Sequence, residues 1–155
     1  MFESRRKYAG KEFLARLRGM QVRTGTSTPE INDFAALPLD MRVDVALSLI
    51  AIASDRSERF MNRKLPLQIL AMIIGLSGLQ RHEQIEAELT DILANLELEY
   101  SQEEFGIERA NVLGIQKSAL VALLAVNPET GTERLNYLIR RHGSSEFGAE
   151  LRELL

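Results

Sequence analysis

Residues 109–126 read RANVLGIQKSALVALLAV. Ala110, Gly114 four residues on, and Ile115 next predict two closely crossing helices, with Ala110 at the crossing and Gly114 in the turn between them. One helix then ends near Leu113 and another covers about 116–126, with Leu113, Ile115, Leu120 and Leu123 as the apolar contacts. Working outward, almost every apolar segment repeats with helical period. There is no sustained alternation and no Asn-Gly or Asp-Gly hairpin signal. The chain is expected to be all-α, a compact bundle of about eight or nine short helices. A degenerate helical-repeat array is the alternative, because aligning 65–87 on 104–126 superposes Ala71 on Ala110 and Gly75 on Gly114.

Two units are expected, a basic amphipathic helix within 1–23 and a single helical domain over 24–155. In the first, Ala9, Phe13, Leu17 and Met20 form one stripe, and Lys7, Lys11 and Arg18 fall opposite it. RTGTST at 23–28 is the most linker-like stretch, followed by Thr28-Pro29 as a helix start. MRVDVALSLIAIAS at 41–54 is apolar nearly all round, which places it centrally. Pro66 is read as opening another apolar helix that ends near Gly75 to Gly78. A helix over 79–98 carries Ile85, Leu89, Ile92, Leu93 and Leu96 on one face, and Ser101 with Glu104 forms a capping-box pattern. Asn127-Pro128 is read as a stop, and Thr132 as the N-cap of a helix ending at Gly143. The last helix, about 146–155, turns Phe147, Leu151, Leu154 and Leu155 to one side.

The chain has 155 residues, no Cys and no Trp, and a net charge of −3. Without Cys there is no disulfide framework and no thiolate chemistry. The longest apolar run, 65–79, falls short of the roughly 20 residues a membrane span needs, and the N-terminus lacks a signal-type apolar core. A cytoplasmic protein is expected. Charge is segregated: residues 1–23 hold seven Lys and Arg against two Glu, a net +5, so the remainder carries −8. Between Glu83 and Glu108 stand nine acidic residues and no Lys or Arg, read as a solvated helix face.

Over about 16 residues the 109–126 stretch resembles the helix-turn-helix motif. The resemblance implies that Gln116, Lys117 and Ser118 open a recognition helix whose first side chains meet base edges. Against this, SALVALLAV carries no Arg, Asn or Gln, and Glu103, Glu104 and Glu108 lead into it, where phosphate contact wants cations. A second window, LAMIIGLSGLQRHEQIEAEL at 70–89, matches only the front half. A core hairpin is the primary reading of both.

No P-loop, GxGxxG, GxSxG, HExxH or DxDxDG-type loop occurs, so neither an enzyme nor a cofactor or metal site is expected. His82 and His142 read as lone exposed histidines. Thr130-Gly131-Thr132 before a helix could hold an anion, although an ordinary cap explains the same residues. The expected function is a non-enzymatic adaptor that binds another macromolecule, a protein first and nucleic acid second, through Arg5, Arg6, Lys7, Lys11, Arg16 and Arg18. A small DNA-binding regulator using 106–126 is the alternative. Self-association is left open.

Overall fold

The computed structural model describes residues 10–15, 34–103 and 106–155, and among these the chain is helical with no strand. Six helices have both ends described: α1 (Leu39–Ser54), α2 (Phe60–Ser77), α3 (Glu83–Gln102), α4 (Gly106–Val126), α5 (Pro128–His142) and α6 (Glu146–Arg152). Residues 10–15 are also helical. The RTGTST linker, the Thr28-Pro29 start and Glu104 of the capping-box pattern lie outside the described residues.

The helical bundle expected from the sequence is present, but its centre is α4, which packs on α2, α3 and α5. The turn at Gly114 does not exist, because α4 runs unbroken for 21 residues. Its buried positions explain why. Val112, Ile115, Gln116, Ala119, Leu120, Leu123 and Val126 keep one helical phase straight through the glycine. A turn would have rotated that stripe out of register. Glycine inside a helix costs about 1 kcal/mol relative to alanine, a cost that burying this face outweighs. Ala110 is exposed rather than clamped between crossing helices. By length and mean hydropathy (1.3) α4 could also cross a membrane, yet half of that window is buried in the bundle.

Three other boundaries move for identifiable reasons. Pro66 lies inside α2 rather than at its start. The polar lead-in is drawn into the helix because Arg63 is buried there: its Nε donates to the Ala53 carbonyl at 2.8 Å, and its two terminal nitrogens donate to Glu99 at 2.7 and 2.9 Å. Ser101 does not cap a helix, since it sits in the last turn of α3 and its hydroxyl donates back to the Leu98 carbonyl. Asn127-Pro128 is a start as well as a stop. The Asn127 side chain accepts from the Glu129 and Thr130 amides, and Pro128 occupies the first helical turn.

That last correction removes Thr132 as a cap and explains Thr130-Gly131-Thr132 without an anion. The Thr130 hydroxyl donates to Glu86 at 2.8 Å. Gly131 lies against α4 so closely that a Cβ there would stand 2.7 Å from the Leu124 Cα. Gly143 ends α5 as expected, its N–H donating to the Ile139 carbonyl at 2.8 Å. In α6 Phe147 and Leu151 are buried, whereas Leu155 is exposed.

Two predictions follow from this packing. Gly131→Ala forces α4 and α5 apart and is expected to lower stability by roughly 1–3 kcal/mol, read as a fall in the urea midpoint. Arg63→Met leaves Glu99 buried with less cationic support, a loss of about 3–5 kcal/mol. Arg63→Met with Glu99→Leu removes both charges together and is expected to melt above the single variant.

Candidate functional site

Near its C-terminal end α3 carries LELEY at 96–100, two carboxylates two residues apart in the acidic stretch. Two positions on a helix differ by about 200°, so Glu97 and Glu99 point to opposite sides. Both are buried, which corrects the reading of this stretch as a solvated face. Glu99 meets Arg63, with Arg56 at 3.7 Å. Glu97 turns toward α4 and α5.

Three donors converge on Glu97. The Gln116 Nε2 donates to its Oε1 at 2.5 Å, the His142 Nε2 lies 3.2 Å from the same oxygen, and the Arg141 Nε donates to Oε2. His142 is therefore not a lone exposed histidine. Its side chain is 6 % exposed, with the Tyr100 and Phe147 rings edge-on at 5.5 and 4.8 Å between centroids. His82 is engaged too, its Nδ1 accepting from the Ile85 amide as the N-cap of α3. Burial pushes the Glu97 carboxyl up, but the hydrogen bonds from Gln116, His142 and Arg141, with the charge of His142, outweigh it and hold the group below its ordinary value of 4.5.

Beside this cluster lies a cleft of about 790 Å³, within the usual size range of ligand sites. Phe60 and Lys64 of α2, Tyr100 of α3, Ala110, Leu113 and Gly114 of α4, and Arg141 and His142 of α5 line it, with Ser145 and Phe147 at the α5–α6 corner. The glycine once assigned to a turn thus forms part of a wall. Its missing side chain admits the Phe60 ring, 3.4 Å from where a Cβ would be. The Ser145 hydroxyl accepts from the Gly148 amide and caps α6.

The residues singled out in the sequence are dispersed. Gln116 is fully buried on Glu97, and Ser118 is buried with its hydroxyl donating to the Gly114 carbonyl. Lys117 is partly exposed, 3.9 Å from Glu150. Since α4 has no break, these three share no helix start and do not stand together as a base-reading edge. Of the six cations at the N-terminus, Lys11 is described; Arg5, Arg6, Lys7, Arg16 and Arg18 lie outside the described residues. Lys11 is about half exposed and its Nζ is 3.3 Å from Glu58. Phe13 and Leu14, on the other side of the same turn, are buried, and Phe13 packs on Phe34 with ring centroids 5.1 Å apart. A Cβ on Gly10 would stand 2.5 Å from the Ser48 Cβ, so this segment lies almost backbone to backbone on α1.

The cleft escaped sequence reading because its walls come from five helices. One signal was available: His142 and Arg141 close a helix while an acidic stretch with no cation of its own lies upstream. Among the described residues no group of three His, Asp or Glu could hold a metal ion. No protein-family model, curated protein or solved structure matches the chain.

The depressed Glu97 group ties stability to pH. Its contribution is fully present above the carboxyl's unfolded value and is lost as pH falls through the lower folded one. Stability measured by urea unfolding is therefore expected to fall below about pH 4.5, and Glu97→Gln to flatten that acid limb. At neutral pH the same substitution costs about 1–3 kcal/mol, because charge-assisted bonds become neutral ones.

Proposed function

We propose that this chain is a non-enzymatic adaptor that docks another protein through the cationic face of its N-terminal helix. The observation that carries the reading is the burial of Phe13 and Leu14 while Lys11 faces water. An amphipathic helix that inserts into a membrane surface needs its apolar side free. Within the described residues 10–15 that side is engaged, Phe13 with Phe34 and Gly10 against α1, which leaves charge for a partner. By sequence spacing Lys7 and Arg18 share the Lys11 face. Five or six closely spaced cations suit an acidic protein surface, with electrostatics giving on-rate and specificity. Nucleic acid is the weaker partner, because the rest of the chain is acidic and would repel the phosphates flanking any contact.

The test is affinity capture with the intact chain and with a variant in which Arg5, Arg6, Lys7, Lys11, Arg16 and Arg18 become Glu, each shown folded by its thermal melt. Partners recovered by the intact chain should be lost from the variant and should elute from the intact chain as salt is raised. Equal recovery by both proteins overturns the reading.

A further inference from the structure

We propose that the cleft between α2, α4 and the α5–α6 corner is a binding site for an organic carboxylate carried on an aromatic or aliphatic body. The charges in and around the cleft are unequally matched. Glu97, the acid behind its wall, is saturated by three donors. Glu146 and Glu150 also line the cleft; Glu150 lies 3.9 Å from Lys117, and Glu146 is exposed in the first turn of α6. The cations differ. Lys64 is half-buried and has no carboxylate within ion-pair distance among the described residues; its Nζ sits 5.8 Å over the Phe60 ring. Arg141 gives Glu97 its Nε, and its two terminal nitrogens make no hydrogen bond among the described residues. A half-buried ammonium with no carboxylate partner among the described residues, and the free edge of a guanidinium whose Nε is taken up by Glu97, thus face one cleft.

A planar carboxylate suits such a pair, since guanidinium and ammonium both form short charge-assisted bonds to it. The body of the ligand is set by the remaining walls. Phe60, Tyr100 and Phe147 present three rings, and Gly114 adds bare backbone to the wall beside the Phe60 ring. Glu146 and Glu150, lining the same cleft, disfavour a dianion, which separates a carboxylate from a phosphate. This site is independent of the N-terminal helix.

The probe is 3-phenylpropionate, titrated into the full chain and followed by backbone amide and imidazole NMR. Saturable shifts are expected at Gly114, Lys64 and the His142 ring. The neutral 3-phenylpropionamide and inorganic phosphate should each bind at least about tenfold more weakly, the loss expected when one charge-assisted bond is missing. Lys64→Gln should weaken 3-phenylpropionate by a similar factor with its melting temperature unchanged. No saturable shift, equal binding of the amide, tighter binding of phosphate, or undiminished binding by folded Lys64→Gln each overturns the proposal. The amide comparison needs no variant and decides the matter even if Lys64→Gln does not fold.

Discussion

The two buried carboxylates at the end of α3 govern the arrangement of the other helices. Nine acidic residues over 83–108 have no cation among them, so any acid that turns inward must be met from elsewhere in the chain. Glu99 is met by Arg63 of α2, with Arg56 beside it, and Glu97 by Gln116 of α4 and the Arg141–His142 pair ending α5. An unpaired buried carboxylate is costly enough to neutralise or unfold its surroundings. Each therefore constrains which helix can lie alongside α3 and in which register. Hydrophobic burial supplies most of the driving force, but Leu, Ile and Val tolerate many packings; a three-donor site tolerates few.

The unbroken course of α4 follows from the same constraint. Gln116 reaches Glu97 from the interior of that helix, and it lies on the stripe running from Val112 to Val126. A break at Gly114 would have to keep Gln116 on Glu97 while turning the helix ahead of it. With the helix continuous, Gly114 becomes a notch on the face toward α2, filled by the Phe60 ring. The cleft is thus a consequence of holding α5 and α6 at one side of the notch, through His142, while α2 stands at the other.

The fold class was legible because it depends on periodicity, which is local. So were the all-apolar helix at 41–54, the face of α3 and the stop at Gly143. What misled was short punctuation read without its context. Ala110 with Gly114 looked like a turn, Pro66 like a start, Ser101 with Glu104 like a cap and Asn127-Pro128 like a stop alone. At Gly114 and Pro66 a longer signal disagreed, most clearly the phase of buried residues across Gly114, and tertiary burial outweighed about 1–3 kcal/mol of local propensity; Asn127-Pro128 is a local cap whose following helix went unread. The cluster on Glu97 was not legible, because its members are separated by 19 to 45 residues and charge pairing at that separation leaves no periodic trace. His142 was misread for the same reason, its partner being a carboxylate on another helix, whereas His82 is a local N-cap, bonded to an amide three residues on.

The charge segregation also changes meaning. Counted along the chain, the acidic stretch is a strong negative block facing a basic N-terminal helix. In the folded protein Glu97 and Glu99 are met inside by cations from other parts of the chain, and Glu86 accepts from Asn127 and Thr130. Among the described residues of the N-terminal segment, the contact with an acid is the local one between Lys11 and Glu58. Exposed pairs of that kind contribute at most about 1 kcal/mol. What holds residues 10–15 in place is Phe13, Leu14 and the close approach of Gly10 to Ser48. An anchor made of apolar contacts does not compete for charge, so the docking proposed for the cationic face is compatible with the packing of residues 10–15 beneath it.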